Sequence, residues 1–180
     1  MLEDKLLILK LKRGDRDALR ELYEKYKDNL RTIAGSLLGD SHAAEDVLHD
    51  VFVVFAENVR NLVIRTSLKN YLATCVVNRA RDEYRRRQRP MPEPDNAGSS
   101  CSDVNSAESM VLADERSQIV TKALGGIPLE QREVIMLHLK GELKFREISR
   151  IQQTSLSTVH GRYRYGLKKL SVLLDGKLER

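Results

Sequence analysis

The chain has 180 residues, of which 41% are hydrophobic and 32% charged, with a formal net charge of +5. The longest unbroken apolar stretch, residues 51–56, is far shorter than the ~20 residues that cross a bilayer. The acids Glu3 and Asp4 stand where a signal peptide has a cationic start. Two cysteines are too few for a disulfide framework or a cysteine zinc site. The composition predicts a cytoplasmic protein without membrane insertion.

The charge is unevenly distributed along the chain. Residues 1–57 carry a net charge of −3, residues 58–89 of +7, residues 90–115 of −6 and residues 116–180 of +7. Two basic blocks separated by an acidic stretch indicate two contacts with a polyanion. The alternative is two solvated helix faces.

Three helices are predicted in the first half. Apolar side chains recur at three- and four-residue spacing over residues 19–37, with Asp15 or Asp17 as the N-cap and Gly39 at the end. Ser41 can cap the second helix and Ser67 the third, with residues 58–66 as a loop between them. The inner face of the second helix is predicted to comprise Val47, Val51, Val54 and Phe55.

The third helix ends in a basic run. Residues 79–89 include six arginines, and Arg81, Arg85 and Arg89 share one side at helical spacing. The planar guanidinium group fits phosphate well, and clustered like charges cost stability unless an anion neutralises them. The run therefore favours a nucleic-acid contact, the alternative being a solvated C-terminal turn stabilised by the helix dipole.

Residues 90–110 interrupt the helical pattern. Three of the four prolines lie within residues 90–94, and a polar stretch with almost no apolar side chain follows. Such a segment cannot offset its ordering entropy by burial. We therefore predict an all-α chain with two small helical domains, residues 1–89 and residues 111–180, joined by a flexible acidic linker.

The second domain shows a helix-turn-helix pattern. Pro128 suits the first turn of a helix that Gly141 interrupts. A short helix over residues 143–151, a polar turn over residues 152–155 and a longer basic helix over residues 156–170 follow. Small hydrogen-bonding residues open the long helix, which is typical of a helix that enters the major groove. The alternative is a basic helical hairpin.

No catalytic, cofactor or metal site is predicted. The sequence has no Gly-rich phosphate loop, no nucleophile elbow and no convincing pair of catalytic carboxylates. His42, His49 and one of Glu45 and Asp46 could share a helix face, but a fourth metal ligand is missing nearby.

Several segments resemble bacterial RNA polymerase sigma factors. Residues 44–52 (AEDVLHDVF) and 70–86 are similar to region 2, and residues 127–133, 147–149 and 158–162 are similar to region 4. With no room for a folded region 3 in the linker, the pattern resembles the extracytoplasmic-function (ECF) group. This implies a sigma region 2-like helical bundle followed by a region 4-like helix-turn-helix domain.

The resemblance implies a non-enzymatic promoter-specificity subunit. It would bind core RNA polymerase at the β′ clamp helices and the β flap, recognise the −10 and −35 promoter elements, and be sequestered by an anti-sigma factor. A linker of about 20 residues reaches at most ~70 Å extended and ~25 Å relaxed. A scaffold such as polymerase is therefore expected to hold the domains apart on the promoter.

The resemblance also assigns contact residues. The expected core polymerase contacts are Glu45, Asp46, His49, Asp50, Phe52 and Val53. The expected −10 DNA contacts are Arg60, Asn61, Arg65, Ser67, Lys69, Asn70, Asn78, Arg79, Arg85 and Arg86. The expected −35 DNA contacts are Arg146, Ser155, Ser157, Thr158, His160, Gly161, Arg162, Arg164 and Lys168.

One departure from the family carries a structural expectation. Gln153 stands where the family usually has the turn glycine, so a left-handed backbone or a different turn is expected there. The main alternative function is a two-module helix-turn-helix regulator that binds duplex DNA by itself. A third is an interaction module titrated by an inhibitory partner.

Overall fold

The computed structural model describes residues 2–64, 67–88 and 115–178. Arg65 and the predicted linker, residues 90–110, lie outside them. The helices are α1 (Leu2–Lys12), α2 (Arg16–Leu38), α3 (Ser41–Asn58), α4 (Leu68–Gln88), α5 (Glu115–Gly125), α6 (Leu129–Leu139), α7 (Phe145–Ile151) and α8 (Leu156–Leu178). A 3₁₀ turn, Val59–Asn61, follows α3. These residues include no β-strand, which confirms the all-α prediction.

Helices α2, α3 and α4 pack into a bundle in the first half of the chain. Their inward faces meet in a core whose largest fully buried side chains include Leu22, Leu30, Ile33, Phe55 and Leu72. The apolar spacing over α2 identified this face correctly, because a strongly amphipathic helix has only one side that can be buried.

Helix α1 was not predicted from the sequence. Leu7 and Leu11 are its buried apolar side chains, and Lys5, Lys10 and Lys12 interrupt the apolar pattern. The helix is held by tertiary contacts with α2, where Lys25 Nζ and Tyr26 Oη each donate a hydrogen bond of 2.9 Å to Asp4 Oδ1. Burial, together with the hydrogen bond to Asp4, raises the pKa of Tyr26 to about 12.

Side chains cap the N-terminal ends of α2 and α4. Asp15 Oδ1 accepts a hydrogen bond from Asp17 N (3.0 Å) at the start of α2, and Gly39 ends that helix at a φ of 69°. Ser67 Oγ accepts a hydrogen bond from Asn70 N (3.1 Å) at the start of α4. Both capping predictions are confirmed.

At the start of α3 the predicted cap was wrong by one residue. Asp40, rather than Ser41, is the N-cap: its backbone is extended, and its Oδ1 accepts hydrogen bonds from His42 N (2.9 Å) and Ala43 N (3.2 Å). The same carboxylate accepts a hydrogen bond of 3.0 Å from Arg87 Nη1 of α4. The cap therefore also ties α3 to α4.

We expect Asp40→Asn to lower stability only where Asp40 is ionised. Burial raises the pKa of Asp40, but hydrogen bonds from Ala43 N, Arg87 and His42 N outweigh it and hold that pKa below its ordinary value of 3.8. A carboxyl group whose pKa is lower in the folded than in the unfolded protein stabilises the fold at neutral pH. This stabilisation is lost as the pH falls through the folded-state pKa. Asparagine keeps the capping oxygen, so the loss at pH 7 should be at most about 1 kcal/mol.

Urea unfolding from pH 7 downwards measures this difference. The two proteins should converge as the pH falls below 3.8. A difference that stays constant with pH would mean that Asp40 does not act through its charge.

Three of the four side chains predicted for the inner face of α3, Val47, Val51 and Phe55, are buried, and one is not. Val54, predicted to face inward, is 55% exposed, whereas Phe52 is only 5% exposed. Phe52 packs edge-on against Tyr23 (5.1 Å between ring centroids) and Phe55 (6.4 Å). The short apolar run over residues 51–56 offered no polar position to fix the phase of the helix.

Helices α7 and α8 form the predicted helix-turn-helix unit, with α7 beginning at Phe145 rather than at residue 143, and α6 packs against both. Ile148 of α7 and Val159 of α8 are fully buried between them. Gln153 in the turn has a φ of 50°, which confirms the expected left-handed backbone. A methyl group added at Gly166 would lie 2.9 Å from Ile135 Cδ1 and 3.2 Å from Gln131 Cβ of α6, so a larger residue there would force these side chains to shift. The close crossing of α6 and α8 explains why a glycine lies inside α8.

In the described part of the chain, no helix combines the length and the apolar character needed to span a bilayer.

Candidate functional site

The outer face of α3 carries the residues predicted to bind polymerase. Glu45, Asp46, His49 and Val53 are exposed. The structure corrects the prediction for Phe52. Its ring is buried in the core between Tyr23 and Phe55, so it packs α3 onto the bundle and offers no surface for a partner. Val54, which was not among the predicted contacts, is exposed beside Val53.

A polar groove brings two predicted sets of residues together. Asp46, His49 and Asp50 of α3 face Arg79 and Arg86 of α4 across a cavity of about 360 Å³. Arg79 donates two hydrogen bonds to Asp50 Oδ2, from Nη2 (2.7 Å) and Nε (3.1 Å). Predicted polymerase contacts and predicted −10 contacts therefore share one surface, which the sequence did not indicate.

The remaining −10 candidates are spread between the end of α3 and the first part of α4. Arg60, Asn61 and Asn78 are exposed. Ser67 Oγ donates a hydrogen bond of 2.7 Å to Asn70 Oδ1, so both side chains also stabilise the start of α4. Lys69 Nζ lies 2.5 Å from Glu142 Oε1 of the second domain.

The basic run at the end of α4 is partly paired. Arg86 (2.9 Å) and Arg87 (3.0 Å) donate to Glu83 Oε1, and these hydrogen bonds lower the pKa of Glu83. Arg85 is exposed and makes no ion pair with another residue in the described part of the chain. Its guanidinium is therefore available to a phosphate.

Helix α8 begins with a cluster of hydroxyl groups. Ser155 Oγ accepts a hydrogen bond from Thr158 N (3.1 Å) and lies 2.8 Å from the hydroxyls of Ser157 and Thr158. Ser155 therefore acts as the N-cap of the recognition helix, and Ser157 and Thr158 stay exposed at its N-terminal end.

Basic side chains follow along α8 and on α7. Arg146, Arg164 and Lys168 are exposed, and Gly161 lies in the first half of α8. His160 packs against Phe145, with 4.5 Å between the ring centroids, which fixes one face of the imidazole. Arg162 differs from these residues, because it is half-buried and donates a hydrogen bond of 2.7 Å to Gln152 Oε1.

The two domains meet at a buried ion pair that the sequence did not predict. Arg81 of α4 donates to both carboxylate oxygens of Glu133 in α6, from Nε (2.7 Å) and Nη2 (2.6 Å), and this hydrogen bonding raises the pKa of Arg81. Gln152 Nε2 donates to Glu133 Oε2 at 2.9 Å. With Arg162 on Gln152, these four residues form a continuous network, here named the polar clasp.

Arg132 forms a second link between the domains. Its Nη1 donates to the carbonyl oxygens of Leu37 (3.0 Å) and Ser36 (3.4 Å) at the C-terminal end of α2. A positive charge is favourable there, because unpaired carbonyls make that end of a helix negative. Burial lowers the pKa of Arg132, but its guanidinium also lies 5.8 Å from the Tyr84 ring centroid, which helps to stabilise the charge.

The remaining candidate sites are a metal centre and a reactive cysteine. In residues 2–64, 67–88 and 115–178, no group of three His, Cys, Asp or Glu side chains is arranged to hold a metal ion. Cys75 lies half-buried beside Tyr71, and burial raises the pKa of its thiol. A raised pKa disfavours the reactive thiolate, as expected for a core cysteine. Cys101 lies outside the described residues.

Known proteins are similar to this chain at two levels, over residues 22–90 and over nearly the whole length. Residues 22–90 match the Sigma-70 region 2 family. The ECF RNA polymerase sigma factor SigK of Mycobacterium ulcerans is 27% identical over 173 residues, covering 94% of this chain and 92% of its own. These matches confirm the resemblance to the ECF group.

Two solved structures share the fold. The structure of CnrH in complex with the cytosolic domain of CnrY is 23% identical, with a TM-score of 0.68, and the match covers 97% of this chain and 98% of that one. The sigma factor RpoE in complex with the anti-sigma factor NepR from Bartonella quintana is 21% identical, with a TM-score of 0.62 and coverage of 87% and 98%. Both support the all-α two-domain architecture.

Proposed function

Because residues 22–90 match the Sigma-70 region 2 family and the chain resembles ECF sigma factors over nearly all of its length, we propose that it binds core RNA polymerase and selects promoters through −10 and −35 contacts. The observation that carries this proposal is the coverage: the match to SigK spans 94% of this chain and 92% of that sigma factor. The polymerase would catalyse all bond formation. The chain would act with it in the cytoplasm.

The geometry supports a division of roles between the two domains. The exposed face of α3 offers acidic side chains beside Val53 and Val54, a mixture suited to a protein partner. The arginines at the end of α4 suit the backbone of a melted strand, which is held by charge and captured bases. The hydroxyl-rich start of α8 suits the duplex −35 element, because a helix can read base edges in the major groove.

We further propose that an anti-sigma factor regulates the chain. The related fold of RpoE from Bartonella quintana was solved with the anti-sigma factor NepR. A complex with such a partner would be compatible with the sigma-factor role, since the partner would compete for the same surfaces.

Reconstitution with core polymerase tests the function. The purified chain should co-purify with core enzyme and direct run-off transcription from promoters selected out of a random DNA pool. Stable sequence-specific binding by the free chain, without affinity for polymerase, would instead establish the alternative two-module regulator.

The −35 contacts make a salt-dependent prediction. Arg164→Ala combined with Lys168→Ala should weaken promoter binding by the reconstituted holoenzyme similarly for all −35 sequences. Each lost phosphate contact lowers the slope of log affinity against log salt by about 0.9 in magnitude, so the pair should lower it by about 2.

Fluorescence anisotropy over a salt series measures that slope. Lys122→Ala on α5, an exposed lysine outside the predicted contacts, is the control and should leave the slope unchanged. An unchanged slope in the double variant would remove Arg164 and Lys168 from the DNA interface.

A further inference from the structure

The ion pair between Asp50 and Arg79 joins a predicted polymerase contact to a predicted −10 contact. Asp50 lies on α3 and Arg79 on α4, and Nη2 (2.7 Å) and Nε (3.1 Å) of the arginine both donate to Asp50 Oδ2. The side chain of Asp50 is 47% exposed and that of Arg79 is 51% exposed. Asp50 therefore already has a charged partner within the chain, which the family resemblance did not indicate.

The pair is too exposed to contribute much to the stability of the bundle. Exposed ion pairs add little to folding free energy, because water screens both charges. Buried side chains of the two helices, among them Val47, Phe55 and Val76, already lie in one core cluster. The pair is therefore better explained by its effect on the position of the arginine.

The hydrogen bonds to Asp50 use only one edge of the Arg79 guanidinium. Its Nη1 end has no hydrogen-bond partner in the described part of the chain, so it can still donate to a phosphate. Arg86, two helical turns further along α4, lines the same groove. Asp50 thus holds Arg79 on the side of α4 that leads to its basic end.

An arginine that is already ordered loses less side-chain entropy when it binds a phosphate. A free arginine side chain samples many rotamers, and fixing it in a complex reduces the affinity. The bonds to Asp50 order the side chain before DNA binds. The negative charge of Asp50 has the opposite effect by itself, because it repels a phosphate. Since the two effects differ in sign, a binding measurement separates them.

We propose that Asp50 is a positioning residue for DNA, which orders Arg79 to bind a phosphate of the melted −10 strand, and that Asp50 is not itself a polymerase contact. Arg79 makes the contact, and Asp50 acts through it. The pairing of the two side chains is a property of the free chain. Its effect on DNA rests on the proposed function.

Binding of single-stranded DNA by the reconstituted holoenzyme tests this role. The probe is a fluorescein-labelled oligonucleotide that carries the −10 segment of a promoter selected from the random pool. Asp50→Ala should bind it about three- to tenfold more weakly than the wild type, although the change removes a negative charge. Asp82→Ala removes the same charge from an exposed position of α4 outside the ion pair and should not weaken binding. Unchanged or tighter binding by Asp50→Ala would overturn the proposal.

The double variant separates positioning from a general structural role. Arg79→Gln should weaken strand binding at least as much as Asp50→Ala does. Adding Asp50→Ala to Arg79→Gln should weaken it no further, because no arginine is left to position. Binding to core polymerase should be unchanged in all three variants. Additive losses of strand binding, or a loss of core binding in Asp50→Ala, would contradict the assigned role.

The ion pair itself is measured without polymerase. In NMR spectra of the free, nitrogen-labelled chain, Asp50→Ala should shift the side-chain Nε–H resonance that Arg79→Gln removes, and Asp82→Ala should not. A resonance that stays in place in Asp50→Ala would show that the pair does not form in solution, and the proposal would fall. If the resonance shifts but the wild-type chain does not join core polymerase, the proposed function and the role in DNA binding are refuted, whereas the pairing stands.

Discussion

Replacing Arg85 and Arg86 together with alanine is expected to reduce open-complex formation by the holoenzyme about 30- to 150-fold, while binding to core polymerase changes by less than about twofold. Two lost charge-assisted contacts to phosphate, each worth about 1–1.5 kcal/mol, give this magnitude. Arg85 has no ion-pair partner in the described part of the chain, and Arg86 is 78% exposed with a surface bond to Glu83. Replacing this exposed hydrogen bond by a contact with a DNA phosphate costs little free energy.

Permanganate footprinting of the melted strand and co-purification with core enzyme measure the two effects separately. Arg13→Ala with Arg20→Ala removes the same charge from exposed positions outside the predicted sites and should change neither. The single variants add a further test, because Arg86 lines the groove beside Asp46 of α3 and Arg85 does not. Loss of core binding with melting intact would reverse the roles proposed for α3 and α4.

Local signals allowed most helices to be predicted from sequence. The spacing over α2, the cap at Asp15, the glycine end at Gly39 and the left-handed Gln153 each depend on a few neighbouring residues. Helix caps and turns depend on residues only a few positions apart, so they can be predicted from the sequence alone. The helix-turn-helix unit followed in the same way from its polar turn.

Features that depend on distant residues were not predicted. Arg81 and Glu133 are 52 residues apart, and nothing in either local pattern marks them as partners. Helix α1 and the inward turn of Phe52 depend on what α2 and α4 present to them. The residues of the candidate site could therefore be named from the family resemblance, whereas their pairing, and the contact that covers Arg162, required the structure.

Phe55→Ala is expected to destabilise the first domain by about 3–5 kcal/mol, the usual cost of deleting a buried aromatic ring. Phe55 is 1% exposed and packs between Phe52 and Tyr71, whose ring centroids lie 6.4 and 6.2 Å away. Urea unfolding monitored by circular dichroism at 222 nm should show the transition of this domain at much lower denaturant.

The neighbouring change Val54→Ala is the matched control for the orientation of α3. Val54 precedes Phe55 directly but is 55% exposed, so its truncation should cost no more than about 0.5 kcal/mol. The sequence pattern placed both side chains on the inner face, whereas the structure separates them. Equal losses for the two variants would show that α3 is rotated from this orientation, and the surface assigned to polymerase would then have to move with it.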